Sequence, residues 1–296
     1  MNFKYIVCET DESIKQILKN KFTMSERYIL KLKKNNCICI NNIPVHINYK
    51  IIPGDYLSIT ENFDEDSSNI VPNSNVDLDI LYEDDFLLIV NKPPHLPVHP
   101  SILHYEDSLS NGVKYYFNRI NLKKKIRPVN RLDKDTSGIV IFAKNEYIQE
   151  CLIKQMKSNI FKKYYIAILD GILENDHGTI EAPIARKENS IIERTISSSG
   201  DNAISHYKVL KRFRNMTEVE FYLETGRTHQ LRVHSKHIGH PIIGDTLYDK
   251  SSALISRQAL HAYKVEFIHP IIKEKTIIQA PVPDDLKNIT RSNSPG

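Results

Sequence analysis

Apolar positions follow two regimes along this chain. Near the N-terminus they recur at helical spacing: Ile14, Ile17 and Leu18 form one stripe, with Lys15 and Lys19 outside it. Ser25 has the chemistry of an N-cap for a second helix carrying Ile29, Leu30 and Leu32. Cys37-Ile38-Cys39-Ile40 reads as a strand turning at Asn41-Asn42, and Pro53-Gly54-Asp55 as a turn before a strand Tyr56–Ile59. Further on, β-rich runs alternate with turn formers: Leu78–Asn91, Ile139–Ala143, Lys163–Leu169, Ser205–Val209, Thr217–Glu224 and Leu260–Ile268. Among them, Ile148, Leu152, Ile153 and Met156 share one helical face within 146–158. Many strands with few intervening helices predict an α+β fold, a mainly antiparallel mixed sheet with peripheral helices, preceded by a small α/β unit.

Residues 61–79, ENFDEDSSNIVPNSNVDLD, break both regimes. They are acidic, polar and poor in aromatics, which is a linker composition. The predicted division is therefore 1–60, an acidic linker 61–77, and a large domain 78–290. A chain of 296 residues has room for a large and a small domain, and 41% hydrophobic with 26% charged residues suits a soluble globular protein. Four cysteines (Cys8, Cys37, Cys39 and Cys151) include no C-x-x-C pair, so neither a disulfide framework nor a zinc site is signalled. A reducing cytoplasm is the expected compartment. The opening MNFKYIVCETDE reaches two acids before an apolar segment develops and is not expected to be a signal peptide. Apolar runs such as Phe86–Val90 are far too short for a membrane span, so no membrane partner is expected. The net charge of +4 permits an anionic partner without requiring one.

Charge distribution says more than the sum. From Lys15 to Lys34 the bases Lys15, Lys19, Lys21, Arg27, Lys31, Lys33 and Lys34 face a single acid, Glu26. That is either a solvated helix surface or a face that displaces counterions from a nucleic-acid backbone. RPVNRLDKDTSGIVIFAKN, residues 127–145, sets Asp133 between cations at the mouth of an apolar strand. By itself this is a polar loop or a reactive carboxylate. Four other segments concentrate unusual chemistry: ILYEDDFLLIVNKPPHLPVHPS (80–101), FKKYYIAILDG (161–171), ETGRTHQLRVHSKHIGHPIIGDTLY (224–248) and RQALHAYKVEFIHP (257–270). His229, His234, His237 and His240 do not reproduce a common zinc spacing, so no metal is expected. Arg232 and Lys236 beside them read as phosphate contacts.

Two resemblances organise these segments. Residues 13–59, with MSERYILKLKKNNCICINN and YKIIPGDYLSI, resemble the α-L RNA-binding module of a small-subunit ribosomal protein and of many RNA-modifying enzymes. It implies RNA contacts through Lys15, Arg27, Lys31, Lys33 and Lys34. Residues 78–283 resemble the RluA-type pseudouridine synthases, through RLDxxTSG, GRTHQLRVH, GHPIIGDxxY and QALHAY in the family's order. That family moves a uracil from a nitrogen to a carbon linkage on its ribose within RNA. Nothing is oxidised or added, so the resemblance implies no cofactor.

The resemblance makes Asp133 the catalytic aspartate, acting on the glycosidic bond either as a nucleophile or by assisting departure of the base. Either role needs an ionised carboxylate in a partly dry pocket, where burial favours protonation unless a cation opposes it. Arg227 is expected to be that cation. Asp135 is expected to organise the turn through local hydrogen bonds. Tyr165 matches the active-site tyrosine expected to stack on the uracil, and strand alternation allows only one of Tyr164 and Tyr165 into the pocket. Leu260 corresponds to an apolar residue beside the base, and Arg131 to the arginine that fills the space left by a flipped nucleotide. The family usually has His before RLD, and this chain has Asn130, which hydrogen-bonds without titrating near neutrality. The implied substrate is structured RNA, ribosomal in preference to transfer RNA, with a monomeric enzyme. The rivals are an RNA-binding assembly factor without catalysis and a hydrolase using Asp133 with His229 or His234.

Overall fold

The computed structural model describes residues 2–6, 12–61, 63–65 and 69–292; Cys8 and parts of the acidic stretch lie outside them. The N-terminal unit runs β1 (Asn2–Ile6), α1 (Ile14–Asn20), α2 (Glu26–Lys34), β2 (Ile38–Ile40), β3 (Ile43–Pro44) and β4 (Tyr56–Thr60). Its antiparallel sheet has the order β1-β4-β2-β3. Ser13 and Gln16 form a capping box on α1, and Ser25 accepts from the Tyr28 amide at the start of α2, so backbone donors at both N-termini are satisfied. Asn41 and Asn42 both hold positive φ, 52° and 67°, the geometry a two-residue hairpin needs between β2 and β3.

The rest of the chain adds β5 (Ile80–Glu83), β6 (Leu87–Lys92), α3 (Leu109–Arg119), β7 (Ser137–Ala143), α4 (Glu146–Lys157), β8 (Lys162–Asp170), β9 (His177–Glu181), β10 (Ile184–Arg186), β11 (Arg194–Ile196), β12 (Ile204–Arg212), β13 (Met216–Leu223), α5 (Gln230–His237), β14 (Leu260–Ile268), β15 (Lys275–Gln279) and α6 (Asp284–Ser292). The main sheet has the order β5-β6-β7-β14-β8-β13-β12-β9, with β15 also paired to β14. Its pairings are antiparallel except between β7 and β14, among the described residues. The α+β expectation is met.

Leu78–Asn91 is not one strand but two. Asp84 takes the Phe86 and Leu87 amides on one carboxylate oxygen, each at 2.7 Å, and this side-chain turn folds β5 back on β6. The unbroken apolar run of β7 has a packing cause, since both faces of the sheet are covered there. Ile139 and Ile141 meet Tyr147, Ile148 and Leu152 of α4, while Val140 and Phe142 meet Leu109, Val113 and Phe117 of α3.

The acidic stretch is largely exposed where it is described, but two of its acids are not solvated. Glu61 and Glu65 are buried: Lys124 pairs with Glu61 at 2.8 Å, and Arg127 grips Glu65 with two nitrogens at 2.7 and 2.9 Å. Lys31 of α2 also pairs with Glu65, and Arg27 with Glu146 of α4. Tyr28 stacks on Tyr147 with ring centroids 6.1 Å apart. Composition alone hides this, because an acidic run reads as water-loving until its cations, 62 residues away in the Glu65–Arg127 case, are known.

Candidate active site

The parallel pairing of β7 with β14 sets two strand mouths side by side, with His261 opposite Ser137 and Ala262 opposite Gly138. Gly138 has φ +116°, and a β-carbon there would lie 2.2 Å from the Ala262 carbonyl oxygen, so the approach of the two strands requires glycine. The loop ahead of β7 is tied down from several directions. The Thr136 amide donates to the Asp133 carbonyl at 3.1 Å, and Gln258 Nε2 donates to Thr136 Oγ1 at 3.2 Å. Arg257, held by Asp285, donates to the Asp135 carbonyl at 3.1 Å, and Ser137 Oγ meets His261 Nδ1 at 2.9 Å. Asn130 donates to the Ile139 carbonyl and accepts from the Ile141 amide, both at 2.9 Å. Its amide supplies a donor and an acceptor at once, so the position needs no titrating group. The Asp135 carboxylate does not bond within its own turn; it reaches His95 Nδ1 at 2.8 Å.

Lys92, fully buried at the end of β6, lies beneath this loop and donates to the Pro93 and Lys134 carbonyls at 2.8 Å each. Burial, reinforced by Arg257 and opposed by Asp135 and Asp133, brings its ammonium down from the ordinary 10.5 to about 7. Between those values the unfolded chain holds a proton that the folded chain has released, so this group makes stability rise with pH from about 7 towards 10.5. Unfolding free energy is expected to increase by roughly 2–3 kcal/mol from pH 7 to 9.5 in wild type relative to Lys92→Met. Denaturant titrations at the two pH values check this; parallel slopes for both proteins would refute the assignment.

Asp133 faces a cavity of about 340 Å³ whose walls include Arg131, Lys163, Tyr165, Arg227, His229, Arg232 and Leu260. Its cation is Arg232, with Nη1 3.2 Å from Asp133 Oδ2. The predicted pairing with Arg227 does not occur. Arg227 Nε donates to the Asn202 carbonyl at 2.9 Å and Nη1 lies 3.8 Å from Asp201, so its charge is turned to the cavity rim. Arg232 is fixed by a two-nitrogen grip on buried Asp245, 2.7 Å for each bond, and by the Tyr248 ring 5.0 Å from its guanidinium carbon. Its pKa is pushed above the ordinary arginine value despite burial, because Asp245 and Asp133 both favour the cation.

His229 completes this wall from a left-handed backbone position, φ 58°, just before α5. Its Nε2 lies 3.8 Å from Asp133 Oδ2, and its Nδ1 meets Tyr248 Oη at 2.8 Å. Tyr248 Oη accepts from the Arg194 amide at 2.8 Å, leaving its own proton to donate to His229 Nδ1. That arrangement puts the imidazole proton on Nε2, towards the aspartate. Burial lowers the His229 pKa, Asp133 opposes, and Arg232 and Arg194 add to the lowering, so the ring is held neutral.

Tyr165 lies in this cavity, 7% exposed, and burial with a smaller effect of Asp133 pushes its phenol well up. Tyr164 turns to the opposite face of β8, under the Lys264 ammonium 3.9 Å from its ring centre. As strand alternation requires, only one of the two tyrosines enters the cavity. Leu260 and Arg131 line the same cavity, Leu260 buried and Arg131 exposed at its mouth. A second cavity of about 700 Å³ shares Arg131, Asp133, His229 and Arg232 and continues over Lys134 and His99. The other predicted histidines diverge: His234 bonds Ser205 and the Ala182 carbonyl, and His240 bonds the Asp170 carbonyl.

Of the predicted RNA contacts, Lys33 and Lys34 are exposed, and Lys15 pairs with Glu26 at 2.7 Å. Arg27 is exposed but pairs with Glu146, whereas Lys31 is taken up by Glu65 and stacks on Phe63 at 4.6 Å. Lys31 is thus a tie within the chain. Arg232, read from sequence as a phosphate contact, and Asp245, Tyr248 and Lys92, given no role, are the residues that sequence reasoning missed. The spacing of His229 and Arg232, three apart at the start of a helix, was the available signal that both face one site.

A carboxylate held by arginine thus faces an aromatic-walled cavity beside the one parallel seam found among the described residues of the sheet. A family profile described as RNA pseudouridylate synthase matches residues 86–237. The chain belongs to the RNA pseudouridine synthases and is of the RluA type. It is 38% identical over 255 residues to the Bacillus subtilis (strain 168) protein named uncharacterized RNA pseudouridine synthase YjbO, covering 86% of this chain and 90% of that one. It is 35% identical over 269 residues to ribosomal large subunit pseudouridine synthase D of Neisseria meningitidis serogroup A, covering 86% of this chain and 71% of that one. In solved structures it is similar to human RNA pseudouridylate synthase domain containing 1, with a TM-score of 0.59 and 26% identity over 72% of this chain and 86% of that chain.

Proposed function

We propose that this enzyme isomerises specific uridines within structured ribosomal RNA, in preference to transfer RNA, with Asp133 as the group that acts on the glycosidic bond. The observation that carries the reading is the Asp133 carboxylate, 3.2 Å from Arg232 in a cavity shared with Tyr165 and Leu260. When the C1′–N1 bond breaks, its electron pair leaves with the uracil. Asp133 either bonds C1′, in a bond that breaks again when carbon 5 attacks, or assists departure of the base without bonding it. The uracil turns, carbon 5 bonds C1′, the proton on carbon 5 is lost and N1 gains one, so the product is an isomer. Tyr165 and Leu260 hold the ring, and stacking on the tyrosine returns about 1–3 kcal/mol of the cost of extrusion. Arg131, exposed at the mouth, fills the place the nucleotide leaves.

The preference for ribosomal RNA is supported by the ribosomal large subunit name of one relative and by the exposed cations Lys33 and Lys34 on α2. Tritium release from RNA labelled at uracil carbon 5 tests the reading. Ribosomal and transfer RNA pools from a strain lacking this protein are compared, and release is expected from the ribosomal pool. Release confined to transfer RNA would reverse the preference. No release from either pool, with salt-sensitive binding retained, would leave an RNA-binding assembly factor.

A further inference from the structure

Among the described residues, the inner wall of the cavity holds a half-buried cation with no acid to answer it, Lys163. Lys163 sits on β8 two residues before Tyr165, so both side chains leave the strand on the same face, about 7 Å apart along it. Both line the 340 Å³ cavity with Asp133 and Leu260. The Lys163 ammonium rests against the loop before Arg227, where a β-carbon on Gly226 would lie 3.1 Å from Nζ. Glycine at that position makes the space the amine occupies.

The cations beside Lys163 on the sheet, and Arg232, are engaged elsewhere, while Arg131, among the described residues, has no acid either but is exposed at the mouth. Lys264 lies over Tyr164 and 3.6 Å from Glu266, Lys162 lies over Tyr222, and Arg232 is taken by Asp245 and Asp133. Among the described residues no carboxylate pairs with Lys163. Burial alone lowers its pKa, with no compensating acid nearby. A half-buried ammonium without a counter-charge is costly unless a ligand brings one. An RNA substrate offers two: the phosphates of its backbone and the charge that collects on the uracil as C1′–N1 breaks. Cations suited to phosphates stand at the cavity mouth, where Arg131 and Lys134 are exposed. Lys163 is deeper, on the wall that carries the tyrosine.

We propose that Lys163 is a catalytic residue that donates a hydrogen bond to a carbonyl oxygen of the flipped uracil and stabilises the negative charge the ring carries once detached from C1′. The electron pair released onto N1 is delocalised over the ring carbonyls, so a fixed ammonium there favours the detached state over the bound uridine. This is the arrangement in which a preorganised donor accelerates a reaction. The charge is withdrawn again when carbon 5 attacks C1′ and the ring is neutralised, so Lys163 need not lose its proton. The inference rests on the uridine-isomerising reading above.

The test is single-turnover tritium release at saturating labelled RNA, with RNA affinity measured separately at several salt concentrations. Lys163→Met is expected to slow the single-turnover step about 10²-fold, the scale of losing one such donor. Its Kd should stay within about twofold and its salt dependence should not change. Lys163→Arg, which keeps a cationic donor, is expected to regain at least about tenfold of the lost rate. Should Met disturb the sheet, Lys163→Gln serves as a second uncharged variant with the same expectation. Normal single-turnover rates with weakened affinity and a salt slope reduced by about one would make Lys163 a phosphate contact and overturn the proposal. Equal rate and affinity in all variants would overturn it as well. Absence of release by wild type on every RNA pool would remove the isomerase reading itself, and the inference with it.

Discussion

Asp133→Asn is expected to lower pseudouridine formation by about 10⁴-fold or more, the scale on which a group acting directly at the reacting bond is lost. The substitution is nearly isosteric. The asparagine oxygen can still accept from Arg232 Nη1, and Arg232 remains fixed by Asp245 through two bonds of 2.7 Å. The backbone of the loop is held by Thr136, Gln258, Arg257 and Lys92, none of which uses the Asp133 carboxylate. Melting temperature and RNA affinity should therefore stay close to wild type while turnover disappears. A variant that retained more than about a hundredth of wild-type turnover would move the chemistry away from Asp133. Measuring single-turnover release and RNA binding on one preparation separates loss of chemistry from loss of structure.

How far the chain could be read depended on whether the signal was local. Ser25 as a cap, the Asn41-Asn42 turn and the β14 limits Leu260–Ile268 are legible because capping, positive φ and alternation act over a few residues. α3 escaped prediction because Leu109, Val113 and Phe117 are interleaved with Ser110, Asn111 and Gly112, all of them also buried. The small polar residues are bound to their neighbours: Ser110 donates to the Val98 carbonyl at 2.7 Å, and Asn111 to the Val71 carbonyl at 2.7 Å. The acidic stretch misled for a related reason. Pairing over long sequence distance turns Glu61 and Glu65 into interior groups, and no local rule announces it.

The site divides the same way. Asp133, Tyr165, Arg131 and Leu260 gather on one cavity; the resemblance singled out Tyr165, and strand alternation required that Tyr164 then face away. The identity of the arginine did not follow, because GRTHQLR offers two, and the choice depends on where the chain turns into α5. The left-handed residue His229 starts that helix, so Arg227 is left on the preceding loop while Arg232 enters on the inner face. Asp245 decides the matter. Buried and 2.7 Å away, it can fix only the arginine that the helix carries inward.

That arrangement makes Arg232 the position with the second large effect. Arg232→Met removes the guanidinium from two carboxylates together. Asp245 is left nearly fully buried, keeping among the described residues only the Leu247 amide at 3.2 Å, and breaking such a pair from one side costs about 3–5 kcal/mol. Turnover is expected to fall at least about 10²-fold, since Asp133 also loses its closest cation. Arg232→Lys should recover little, because one ammonium cannot reproduce a grip on Asp245 together with a bond to Asp133. The double variant Arg232→Met, Asp245→Asn separates the two roles. Neutralising the orphaned acid should return most of the lost stability, measured by denaturant unfolding, and leave turnover as low as in Arg232→Met. Arg227→Ala, by contrast, releases only the Asn202 carbonyl and a distant Asp201 at the rim, and should keep turnover within about tenfold of wild type. If Arg227→Ala were instead the more damaging change, the Arg232 assignment would fail, and substrate would have to draw Arg227 back across the cavity to Asp133.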